Sequence, residues 1–304
     1  MAADDPIAYL PRIRRYYAAL GYGAPYEWAR VADVPFQPLR KPLAECRVAL
    51  ITTAAPYRPE FGDQDPGAPY NASAKFYTVY SLDTARDHDL RISHVAIDRR
   101  HTSGEDPASY FPLAALRRQA AAGRIGALTP RFHGAPTNRS RRITLETDGP
   151  EIVARCIAER ADCAILVANC PVCHQTCALI AGLLEGSGIS SVVMGCALDL
   201  VEHVGVPRFV FSDFPLGNAA GRPNDPASQD LTLELALKLL ETAQAPRTTV
   251  RSPLRWSESA DWKLDYCNVD RLTPDEIERR RAEFDRAKAQ AQALRGQSVA
   301  KKHS

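Results

Sequence analysis

Residues 162–195, DCAILVANCPVCHQTCALIAGLLEGSGISSVVMG, decide the fold. The stretch opens on an apolar run, 162–169, of strand length and rich in aliphatic side chains. A run of that kind suits a strand buried on both faces. CHQTCALIAGLLEGSG follows at helical length and ends in glycine, the residue that most easily closes a helix. Residues 189–195, ISSVVMG, read as a second strand. Strand, helix and strand in this order make a βαβ unit, with parallel strands and a right-handed crossover.

The same rhythm extends both ways. DGPEIVARCIAERA (148–161) is a helix with Pro150 near its first turn, and ALDLVEHVG is a short helix. PRFVFSDF gives a strand from 207, and DPASQDLTLELALKLLETA (225–243) a helix. Upstream, Arg47 to Thr53 reads as a buried strand, DLRISHVAID (89–98) as another, and FPLAALRRQAAAGRIG (111–126) as a helix closed by Gly123. Alternating helices and apolar strands imply an α/β fold: a mainly parallel sheet with helices on both faces. Three parts are expected. Residues 1–45 form a helical lead-in and a proline-punctuated arm, 46–250 the α/β core, and 251–304 a C-terminal extension. The extension carries a charged helix that opens on a capping box, Thr273 with Glu276, and Pro274 at its first position.

Composition narrows the function classes. A net charge of +2 over 304 residues leaves no electrostatic footprint for nucleic acid. The longest apolar runs, CAILVANC and CALIAGLL, fall short of a membrane span. The first residues start acidic and lack the apolar segment of a secretory signal, so the expected compartment is the cytoplasm. Most of the eight cysteines are then expected to be free, packed as small hydrophobes.

Sites on parallel sheets form in the loops at the C-terminal ends of strands. Here those loops follow residues 98, 169, 195 and 213. In CPVCHQTC, Cys170 sits at a helix entrance, where unpaired backbone N–H groups stabilise a thiolate. Cys173 lies close enough to close a disulfide with it, and His174 could share a proton with either thiol. Proline at 171 favours the turn in which such a disulfide forms. Cys177 reads as core. Two other readings compete: a zinc or iron centre that adds His94 or Cys196 to Cys170 and Cys173, or plain buried thiols. His94 and Asp98 would share one face of the strand at 89–98 and could orient or deprotonate a substrate. Asp213, Gly217 and Asn218 in DFPLGNAAGRPND could hold a small polar ligand. His101 and Glu105 read as loop charges, and no nicotinamide, flavin or P-loop motif is visible.

Four segments together, PFQPLRKPLAECRVALITTA, ISHVAID with FPLAALRRQAAAGRIGAL, CPVCHQT, and VEHVGVPRFVFSDFPLGNAAGRP, resemble the glycine/sarcosine/betaine/D-proline reductase selenoprotein B family. The likeness runs from about residue 6 to about 244. It implies a reductase component that cleaves a C–N bond reductively, with Cys170 at the family's selenocysteine position and Cys173 as its resolving partner. It also implies a partner subunit carrying a pyruvoyl group. Cysteine in place of selenium makes the nucleophile weaker, and RRHTSGEDPASY departs from the family's version of that loop. The resulting expectation is a thiol/disulfide reductase, or a component of one, acting on a small polar, amino-acid-like or nitrogen-containing molecule. An external dithiol or thioredoxin-like donor would regenerate it. The rival classes are a metal-dependent lyase or hydrolase and a subunit that only presents substrate. An oligomer is compatible with either.

Overall fold

The computed structural model describes residues 5–302; residues 1–4 and 303–304, the ends of the lead-in and the extension, lie outside the described residues. The strands are β1 (Arg47–Thr52), β2 (Ala55–Pro56), β3 (Tyr80–Asp83), β4 (Leu90–Arg91), β5 (Ala127–Leu128), β6 (Arg131–Gly134), β7 (Cys163–Val167), β8 (Ser190–Gly195), β9 (Arg208–Phe211) and β10 (Thr248–Arg251). The helices are α1 (Tyr9–Ala19), α2 (Leu113–Ala121), α3 (Arg141–Ile143), α4 (Gly149–Ala158), α5 (Pro171–Gly186), α6 (Leu198–Val204), α7 (Pro226–Thr242) and α8 (Pro274–Lys302). A π-helical turn over Thr144–Asp148 joins α3 to α4.

The main sheet runs β10-β9-β8-β7-β1-β6-β3, with β5 also paired to β1. Its pairings are parallel except for β3, which runs antiparallel to β6 at the edge. Every residue of β7 and β8 is buried, which explains their unbroken apolar character. From β1 the chain proceeds to β6 on one side, then crosses to β7 on the other and continues outward. The strand order therefore reverses between β1 and β7. The crevice beyond the carboxyl ends of those two strands is where doubly wound sheets place a ligand.

One expected strand is not formed. In 89–98 only Leu90–Arg91 is extended and paired, in a two-stranded ribbon with Ala55–Pro56. The ribbon runs on past Pro56, where the Tyr57 N–H donates to the Asp89 carbonyl at 2.8 Å, and stops at Arg91 on the other side. Residues 92–98 instead make a looped excursion whose apolar side chains, Ile92, Val95 and Ile97, are buried. Burial of these aliphatic side chains in a loop gives the stretch the apolar character of a strand. Short edge elements with half-exposed faces, β3 and β10, carried no clear pattern. The capping box forms as expected: Glu276 N–H donates to Thr273 Oγ1 at 3.2 Å, and Thr273 N–H to the Glu276 carboxylate at 3.1 Å.

One buried ion pair docks the proline-rich arm on the sheet. Arg208, fully buried at the start of β9, donates to Glu185 Oε1 at 2.8 Å and to the Gln37 carbonyl at 2.8 Å. Its guanidinium lies over the Phe36 ring, 4.1 Å from the centroid. Glu185 also accepts from both the backbone N–H and hydroxyl of Ser191. Removing Arg208 strands a buried carboxylate. Arg208→Met is expected to destabilise the protein by about 3–5 kcal/mol in urea unfolding; an unchanged midpoint would mean that the pair is solvated in solution.

Candidate functional site

Cys170 is the N-cap of α5 and Pro171 its first residue. Extended backbone at Cys170 (φ −138°) turns its sulfur back over the helix start, where it accepts the Cys173 N–H at 3.2 Å. Cys170 is 4% exposed. Burial alone would raise its thiol pKa. The Cys173 thiol and N–H, the Lys75 ammonium and the Ala96 N–H outweigh that, so the net direction is down. Cys173 moves the other way, driven up by burial and by the neighbouring Cys170 charge. The pair is thus polarised: one sulfur readily becomes thiolate and the other stays a thiol. Alkylation of Cys170 is expected to inflect below the ordinary thiol range of about 8.5 as pH rises. A profile centred at or above that range would contradict the polarised pair.

His174, expected as a proton carrier, has both ring nitrogens engaged by backbone groups. Its Nδ1 donates to the Cys170 carbonyl at 2.7 Å, and its Nε2 accepts the N–H groups of Cys196 (2.8 Å) and Ala197 (3.1 Å). Only the neutral Nδ1–H tautomer satisfies all three contacts. Burial lowers its pKa to about 4, against a small opposing effect of the Cys170 carbonyl. The ring therefore pins the start of α5 to the turn after β8. Glycine is required at 195 because a Cβ there would lie 2.4 Å from His174 Nε2. Gly195→Ala is expected to cost about 1–3 kcal/mol and to shift the Cys170 alkylation profile with it; an unshifted profile would detach His174 from the thiol.

Around the thiols the β1 end, the β7 end and the 92–99 loop converge. Thr53 Oγ1 donates to the Val167 carbonyl at 3.1 Å and accepts from the Asn169 N–H and side-chain amide, at 3.3 and 3.2 Å. Asn169 Oδ1 is buried without a partner among the described residues. Neither ring nitrogen of His94 has a hydrogen bond of ordinary geometry among them, although the Thr53 backbone lies near enough to favour protonation slightly. Burial, then Lys75 and Arg99, depress the His94 pKa to about 3, so the ring is neutral. Lys75 donates to the Thr137 carbonyl and sits over Tyr77, 5.5 Å from the ring centroid. Arg99, donating to the Ala68 carbonyl at 3.1 Å, also feels the Cys170 charge. Sequence reasoning missed Thr53, Lys75, Arg99 and Asn169. Only the strand-end positions of Thr53 and Asn169 carried a signal.

The remaining expected residues lie on the same rim with other partners. Asp98 accepts the Arg100 N–H at 3.2 Å, and its Oδ2 is buried without a partner among the described residues. Burial raises its pKa. Asp98 and His94 sit on a loop rather than on one face of a strand. Asp213 is paired with Lys263 of the C-terminal segment. Asn218 donates to Thr102 Oγ1 at 2.7 Å and to the Pro215 carbonyl at 3.1 Å. Gly217 (φ +112°) passes where a Cβ would meet Thr102 at 2.7 Å. Gly217 and Asn218 thus fasten the 213–218 loop to the 97–102 loop. Among the described residues no three His, Cys, Asp or Glu side chains converge as metal ligands. Cys177, inside α5, is buried with its thiol pushed up by burial.

Over 206 residues the chain is 29% identical to the D-proline reductase subunit gamma of Acetoanaerobium sticklandii, covering 67% of this chain and 81% of that protein. No family model and no solved structure matches. The relationship to a reductase subunit is distant, and it extends over most of both chains.

Proposed function

We propose that this chain is the thiol-bearing component of a reductase acting on a small polar, amino-acid-like or nitrogen-containing molecule. The observation that carries the reading is the polarised pair at the switch point of the sheet, Cys170 as N-cap acceptor beside a protonated Cys173. Similarity to a subunit of D-proline reductase supports the same class of chemistry.

Cleaving a C–N bond reductively takes two electrons and two protons. Two thiols supply both and become a disulfide. Cys170 thiolate attacks the carbon that bears the nitrogen, in the substrate or in an adduct of it held by a partner subunit, and a C–S bond forms as the C–N bond breaks with both electrons leaving on nitrogen. The Cys173 thiol then attacks Cys170 sulfur, the C–S bond breaks with both electrons leaving on carbon, and that carbon takes a proton. The second proton goes to the departing nitrogen. An external dithiol reduces the disulfide by exchange. His94, neutral and without an ordinary hydrogen bond, orients the substrate, Asn169 Oδ1 accepts a donor from it, and His174 holds the helix start in place.

Single-turnover chemistry tests this. The full chain, reduced, freed of excess reductant and mixed with a partner subunit and amino-acid substrates, is expected to yield one equivalent of reduced product per disulfide formed. Product formed while both thiols remain free would assign the electrons elsewhere.

A further inference from the structure

Cys170 is nearly closed to solvent. Residues 261–272, which follow β10 and precede α8, reach the loop beside it, through Tyr266 to Ala96 and through Asp265 to Arg100 and His101. Tyr266 donates its hydroxyl to the Ala96 carbonyl at 3.0 Å, on the loop whose Ala96 N–H faces Cys170 sulfur. Its ring meets Tyr9 of α1 edge-on, with centroids 5.6 Å apart. Tyr17 of α1 and Tyr266 both feel the negative charge of Cys170.

Separate polar contacts seat this segment. Asp265 accepts from His101 Nε2 at 2.7 Å, from Arg100 at 3.1 Å and from Arg271. Lys263 pairs with Asp213 and donates to the Asp5 carbonyl at 3.0 Å. Arg12 of α1 donates to the carbonyls of Lys263 and Tyr266. In turn α8 grips α1 and the turn after it: Phe284 packs on Tyr17 at 6.0 Å between centroids and on Tyr22 at 3.9 Å, and Arg280 donates to Tyr16 Oη at 3.3 Å. Trp262 and Lys263 anchor the start of the segment in the interior, whereas the contacts of Asp265 and Tyr266 with the 96–101 loop lie mostly at the surface and every residue of β8 is buried. A segment held this way opens locally at far lower cost than the sheet.

We infer that residues 261–272 form a removable lid over the Cys170–Cys173 pair, hinged between β10 and α8 and latched by Tyr266 on Ala96 and by Asp265 on His101 and Arg100. Closed, the lid leaves too little of Cys170 exposed for substrate to reach it. Open, it frees the crevice between the ends of β1 and β7. A substrate or partner subunit that binds the open form shifts the population toward it. The inference takes its site from the function proposed above, but its test measures access to the thiol and no turnover.

The full chain, wild type, Tyr266→Phe and Asp265→Ala, is treated with iodoacetamide at fixed pH and each cysteine is mapped by mass. Losing one latch is expected to raise Cys170 labelling about tenfold or more, with Cys156 and Cys177 unchanged. Amide exchange in 261–272 should quicken in parallel, while α5 and β8 stay protected. Unchanged Cys170 labelling in both variants would overturn the lid. So would a rise shared by all the buried cysteines, which reports loosening of the whole fold. If the lid opens as expected and single turnover still fails, the reductase reading alone is lost.

Discussion

Cys170→Ser is expected to lower dithiol-dependent reductive turnover by at least ~1,000-fold, because a serine hydroxyl in the same place is neither ionised near neutral pH nor able to form a disulfide. The fold should be undisturbed. The side chain is small, and a hydroxyl at an N-cap accepts the Cys173 N–H at least as well as sulfur does. Cys173→Ser separates the two roles. Attack by Cys170 remains, resolution is lost, and a covalent adduct or mixed disulfide accumulates on Cys170. Intact-mass measurement of each variant after substrate addition reads this directly. Turnover surviving in Cys170→Ser would move the chemistry to another group.

Acid should unfold this protein steeply, and the sign follows from three buried imidazoles. Burial depresses His94 to about 3, and His133 and His174 to about 4. An unfolded histidine takes its proton near 6.5. Their contribution is therefore complete above pH 6.5 and is lost as pH falls toward 4, because the unfolded chain binds protons that the folded one refuses. Each site costs about 1.4 kcal/mol per pH unit, so three together cost about 4 kcal/mol per unit over the steep part. Asp98, Glu185 and Asp199, whose carboxyls burial raises, act the opposite way and offset part of the loss. Urea unfolding at pH 7.5, 6 and 5 should show the midpoint collapsing below pH 6. A flat stability from pH 7 to 5 would mean that the three rings are open to water.

The β7–α5–β8 unit was legible because strands buried on both faces write their burial as unbroken aliphatic runs, and a glycine marks the helix end. RISHVAID misled because a loop wrapped round a rim also buries its aliphatic side chains, Ile92, Val95 and Ile97, with Ser93 and His94 buried between them. Cys170 and Cys173 were legible as a strand-end CxxC. The task of His174 was not. It depends on the backbone N–H groups of Cys196 and Ala197, which only the crossover brings to its ring. Lys75, Arg99 and Tyr266 come from irregular segments that carry no period, and their place beside the thiol is set by how the chain wraps the rim. The charged pattern after Thr273 reads as a solvated helix, and the described side chains of α8 are largely exposed, yet Phe284 packs on Tyr17 of the lead-in helix.

Peptide mapping after mild oxidation, with metal content measured on the same sample, separates a redox pair at Cys170 and Cys173 from a metal centre. A Cys170–Cys173 link is expected, with Cys177 and Cys196 still free and no stoichiometric metal. A Cys173–Cys177 link, or a metal ion held by Cys170 until it is stripped, would contradict the redox pair.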